Sequence, residues 1–125
     1  MKAYNVEATD FSPKVVLDPE NNIFEISGIS RPENANDFYE PIVQWLNIYI
    51  QNPNEVTRVK FNFDYFNTSS LKYFLMILSK FREITDSNAK LEIIWYYDKV
   101  DESMFEAGKS LEELSELEFD FVVIE

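Results

Sequence analysis

The chain has 125 residues and a formal net charge of −12, with no cysteine, no histidine and two glycines; 46% of it is hydrophobic and 16% aromatic. That length and apolar content suffice for one packed domain without disulfides, while the missing thiols and imidazoles exclude cysteine nucleophiles, histidine general bases and the usual zinc sites. The excess of acid opposes nucleic acid and anionic membrane, both of which require lysine and arginine, so a protein is the expected partner.

No segment approaches the roughly 20 apolar residues of a membrane span, and the amino terminus MKAYNVEATDF carries no apolar run behind its lysine, so the chain reads as cytoplasmic. KVVLD (Lys14 to Asp18) and NIFEISG (Asn22 to Gly28) flank Pro19-Glu20-Asn21 and predict a hairpin. Phe38, Ile42, Trp45, Leu46 and Tyr49 then recur at helical spacing, with Asn34 or Asn36 as cap and Pro41 in the first turn. A strand follows from Val56 to Tyr65, with Val59, Phe61, Phe63 and Tyr65 alternating against Arg58, Lys60, Asn62 and Asp64. A helix is predicted from about Ser69 to Thr85, a strand over Lys90 to Asp98, a helix over DESMFEAGKSLEELSE and a last strand over LEFDFVVIE. The order β-β-α-β-α-β-α-β predicts an α/β fold, a mixed and mostly parallel five-stranded sheet with three main helices over residues 1–125 as one domain. The polar positions on the central strand predict that one sheet face is open.

Catalytic signatures are sparse. Gly28 and Gly108 belong to no phosphate-binding loop. Glu112 and Glu113 sit among other acids and read as solvated surface rather than metal ligands. Asp64 and Asp98 close strands, where α/β sites gather, yet turn and cap duty accounts for them and neither has a base or nucleophile beside it. The reading is therefore of a chain without enzyme activity, cofactor or metal. Ten acids and two lysines fall between Asp98 and Glu125, which gives −8 of the −12 and reads as a solvated face.

One seam stands out. In FNFDYFNTSSLKYFLMIL the repeat passes from two to three or four, with Asn67, Thr68, Ser69 and Ser70 at the change. One cap suffices to start a helix, so the four polar residues are either a generous cap or a phosphoacceptor whose phosphate would meet the helix amino terminus, with Lys72 nearby. The helical wheel points Ser69 furthest from the core and puts Thr68 at its border, so periodicity leaves the choice of hydroxyl open. Phe74, Leu75, Leu78 and Phe81 form the expected core stripe, and Tyr73, Met76 and Ile77 fall outside it, against a neighbouring helix or a partner.

EATDFSPKVVLD, GISRPENANDFYEPIVQWLNIYI and DYFNTSSLKY, together spanning most of the chain, resemble the SiaC family of small bacterial regulatory phosphoproteins. The resemblance implies a STAS-like fold, as in anti-sigma-factor antagonists, and a non-enzymatic switch. It implies Thr68 as the acceptor, a dedicated serine/threonine kinase, a phosphatase of the PP2C type, and a downstream effector that in the best-known system is a diguanylate cyclase. The partner surface expected around Thr68 comprises Tyr65, Phe66, Asn67, Ser69, Ser70, Lys72 and Met76, together with Arg31, Glu33 and Asn34 of the loop that starts at Ser30. Ile29 and Arg31 depart from the family pattern of an acidic residue and an aromatic, which bears on partner choice. A constitutive binding module without modification is the alternative of a different class.

Overall fold

In the computed structural model, which describes residues 1–124, the elements run β1 (Tyr4–Val6), β2 (Lys14–Asp18), β3 (Ile23–Ser30), α1 (Ala35–Tyr49), β4 (Val56–Phe66), α2 (Thr68–Arg82), β5 (Lys90–Asp98), α3 (Glu102–Ser115) and β6 (Phe119–Ile124), with a 3-10 turn at Glu83–Asp86. The six strands form one sheet in sequence order; β1 to β3 pair antiparallel, and β3 to β6 pair parallel. The expected five strands become six because Tyr4–Val6 adds an edge strand to β2. Three residues are too few to declare a period, and this segment is held from outside, by the ladder to Leu17, Val16 and Val15 and by the Trp45 indole N–H donating to the Lys2 carbonyl at 2.9 Å. The last expected strand ended at Glu125, which lies outside the described residues.

All three helices cover the same sheet face. Phe24, Val59 and Ile93 stand side by side in register, as do Ile26, Phe61 and Trp95. Against this row α1 sets Trp45 and Tyr49 on Phe24, α2 stacks Phe74 on Phe63 at 4.6 Å, and α3 accepts the Trp95 indole N–H on the Met104 carbonyl at 3.0 Å. Gly108 is needed there: a Cβ at that position would lie 2.5 Å from Trp95 Nε1. The opposite face is open and polar, as its alternation predicted, with Lys14 paired to Glu25 and Arg58 to Glu92 across strands. Among the described residues no helix is long and apolar enough to cross a membrane.

Three local expectations need correction. Asn34 is the α1 cap, accepting the Asp37 N–H at 3.1 Å, so Pro41 falls in the second turn rather than the first. It leaves the Asp37 carbonyl without its intrahelical donor, at an exposed position where water can serve. The β4 alternation breaks after Phe63: Gly28 pairs with Phe63 and Ile29 with Tyr65, so Asp64 is an extra residue in a bulge. Gly28 takes φ +106 at this irregularity. Tyr65 therefore turns outward and Phe66 inward, onto Phe63 and Phe74. Finally, Leu75 of the expected core stripe is only partly buried, while Tyr73 and Ile77, placed outside that stripe and against a neighbouring helix or a partner, are buried. The apolar stripe of α2 is rotated because the helix packs on α1 as well as on the sheet, with Tyr73 stacked on Tyr39 at 5.5 Å.

Candidate functional site

The bulge and the helix start make the site. With Phe66 turned inward, Asn67 adopts extended backbone (φ −89, ψ 167) and caps α2. Its side-chain oxygen accepts three donors: the Ser70 N–H at 3.2 Å, the Ser70 hydroxyl at 2.8 Å and the Ser69 hydroxyl at 3.0 Å. Its backbone N–H donates to the Ser30 carbonyl at 3.0 Å, which fastens the helix start to the end of β3 and so to the loop from Arg31.

Beneath the cap lies a closed hydroxyl network. Ser30 and Ser70 are fully buried, 2.8 Å apart through their hydroxyl oxygens, and Ser30 Oγ is 2.5 Å from the Tyr39 hydroxyl. Burial pushes the Tyr39 phenol well above the ordinary tyrosine range, against the lowering effect of its bond to Ser30, so it stays neutral. Every member has a partner, as buried hydroxyls require. Ser30 and Tyr39 were not among the residues expected from the sequence. The available signal was a serine at an inward position of β3, in line with Phe24 and Ile26.

The seam hydroxyls thus differ in kind. Ser70, expected on the partner surface, is sealed inside the network instead. Ser69 is exposed, but its hydroxyl is turned back onto Asn67. Thr68 is exposed at the first helical position, and its hydroxyl has no hydrogen bond among the described residues. The amides of Thr68 and Ser69 lead the helix ahead of its first internal bond, where partial positive charge accumulates.

The other expected residues spread around this point. Lys72 is one turn on from Thr68, exposed, with its ammonium 5.4 Å from the Tyr73 ring centroid. Tyr65 is 51% exposed, whereas Phe66 is half-buried. Glu33 and Asn34 line a shallow depression between the starts of α1 and α2 together with Asn36, Ser69 and Lys72. Arg31 is exposed and lies over the Phe11 ring at 5.5 Å, while its N–H donates to the Phe11 carbonyl at 2.7 Å. Met76 stands apart, two turns down α2, about 12 Å along the axis from Thr68, and is half-buried against the core.

Asp64, Asp98 and Asp101 line one depression at the carboxyl ends of the strands. Asp98 accepts the Val100 N–H and Asp101 caps α3, so turn and cap duties occupy these two, while Asp64 is the bulge residue of β4. Among the described residues no group of three or more acids converges as a metal site.

Comparison with known proteins converges on one family. The family model described as SiaC family regulatory phosphoprotein matches residues 6–124. An uncharacterised protein of Pseudomonas aeruginosa (strain UCBPP-PA14) is 22% identical over 113 residues, 90% of each chain. The solved structure of SiaC of Pseudomonas aeruginosa superposes with a TM-score of 0.84 at 21% identity, covering 99% of this chain and 98% of that one. A second structure, of the diguanylate cyclase SiaD in complex with its activator SiaC from the same organism, gives 0.88 at 21% identity over 97% and 99%.

Proposed function

The chain belongs to the SiaC family of regulatory phosphoproteins, and from that membership we propose that it is a non-enzymatic switch whose binding to an effector protein is set by reversible phosphorylation of Thr68. The observation that carries this reading is the inequality of the three seam hydroxyls: only that of Thr68 is both exposed and unengaged.

A cognate serine/threonine kinase transfers the γ-phosphoryl of a nucleoside triphosphate. The Thr68 Oγ1–P bond forms as the β–γ anhydride breaks, the hydroxyl proton passes to the kinase's base and the nucleoside diphosphate leaves. A PP2C-type, metal-dependent phosphatase reverses the step with water and releases inorganic phosphate. The helix amino terminus and the i+4 Lys72 favour the added charge of about −1.5 to −2, so the fold tolerates it. An interface over Tyr65 and the first turn of α2 does not, because a doubly charged group desolvated without a cation of its own costs several kcal/mol. A diguanylate cyclase, the partner in the SiaC complex of Pseudomonas aeruginosa, is the effector class this reading favours.

Tandem mass spectrometry of protein recovered from its native host tests the assignment. A single phosphate on Thr68, absent from Thr68→Ala, is expected; protein without phosphate under all growth conditions, or phosphate confined to Ser69 or Ser70, contradicts it.

A further inference from the structure

We infer that the Asn67 side chain is the specificity-determining residue of the switch: by holding the Ser69 hydroxyl and closing the cap over Ser70, it confines modification to Thr68. The inference rests on the reading of Thr68 as acceptor and adds the reason why an equally exposed neighbour is passed over.

Three hydroxyls stand in a row, and a kinase that binds the segment brings its phosphoryl donor within a few ångströms of more than one of them. Attack requires the hydroxyl to point outward with its proton free for the kinase's base. The Ser69 hydroxyl donates to Asn67 Oδ1 at 3.0 Å, so its proton is engaged and its rotamer is aimed back at the cap. The same oxygen takes the Ser70 N–H and hydroxyl, and Ser70 is further bonded to Ser30, whose hydroxyl meets Tyr39. One carboxamide oxygen thus engages two of the three candidates. Thr68, which precedes both in the helix, is out of its reach by position: the first helical residue turns away from its own cap, and the bonds of a capping side chain run to the second and third residues. Transfer to Ser69 must first break its bond to Asn67, which suppresses it by about fivefold, the Boltzmann factor of one hydrogen bond, before orientation adds to the bias.

The test compares phosphate position by tandem mass spectrometry in wild-type protein, Asn67→Gly and Asn67→Asp, each expressed in the native host. Glycine keeps most of the capping preference without a side-chain acceptor, and a circular dichroism melt verifies the helix. Asn67→Gly is expected to raise the Ser69 share of phosphate at least fivefold, and Asn67→Asp, which retains the acceptor, to restore confinement to Thr68. A second pair sharpens the result: Thr68→Ala should carry no phosphate, whereas Thr68→Ala with Asn67→Gly should gain it on Ser69. An unchanged Ser69 share in Asn67→Gly overturns the role of Asn67 while leaving Thr68 as acceptor, and wild-type protein without phosphate on Thr68 overturns both.

Discussion

Tyr39 carries more of the site than its distance from Thr68 suggests. Its hydroxyl is the deepest member of the chain that runs through Ser30 and Ser70 to the cap, and its ring stacks on Tyr73 of α2. Tyr39→Phe keeps the ring and removes one hydrogen bond, a loss of about 1 kcal/mol at neutral pH. The pH dependence isolates the phenol. Burial raises its pKa above the ordinary 10.0, so the folded state keeps a proton that the unfolded chain releases. Stability from this group is therefore complete below pH 10 and is lost as pH rises from there toward the folded value. Urea titrations should show wild-type protein losing more stability than Tyr39→Phe between pH 9 and pH 11; parallel losses would place the phenol in contact with solvent.

At the scale of elements, the strand-to-helix passage was legible because period, cap chemistry and the cluster of hydroxyls agreed at one place. What was hidden is the bulge at Asp64, which exchanges Tyr65 and Phe66 between faces. Neither residue announces a bulge; the partner strand does, through Gly28, which is Phe63's neighbour in register although it lies far from it in sequence. The same limit applies to α2, where periodicity left open whether Tyr73, Met76 and Ile77 meet a neighbouring helix or a partner and put Leu75 in the core stripe, from which the packing on α1 rotates it. Met76 is the practical consequence. It is half-buried and packed on the core, so Met76→Glu should cost about 1–2 kcal/mol and several degrees of melting temperature. Tyr65→Ala should leave the melt within about 0.5 kcal/mol of wild type, since its ring is half exposed at the strand end. Thermal denaturation of the two variants decides whether the docking surface lies at the strand end or along the helix, and a melt of Tyr65→Ala as low as that of Met76→Glu would contradict this placement.

Across the whole molecule, the order of elements after β1 and the mixed, mostly parallel sheet followed from hydrophobic period, turn and cap residues and the alternation of strands with helices, and the open sheet face from the polar positions of β4. The edge strand β1 did not, because a three-residue strand exists only through its ladder and the Trp45 anchor. The proposed acceptor, Thr68, was legible only through family resemblance. Periodicity left the choice between Thr68 and Ser69 open, and what separates them is that the Ser69 hydroxyl is turned back onto Asn67. The proposed switch sets two requirements on one fold: a hydroxyl network that fixes the seam, and one free hydroxyl at its rim where charge is to be tolerated by the domain but not by an interface. The direct measurement is a calorimetric titration of the effector that co-purifies with Thr68→Ala protein from the native host, against unmodified, phosphorylated and Thr68→Ala protein, with circular dichroism as the control for folding. The phosphorylated form should bind more than about a hundredfold more weakly, the equivalent of 3 kcal/mol, while the other two bind alike. Equal affinity for all three forms would contradict the switch.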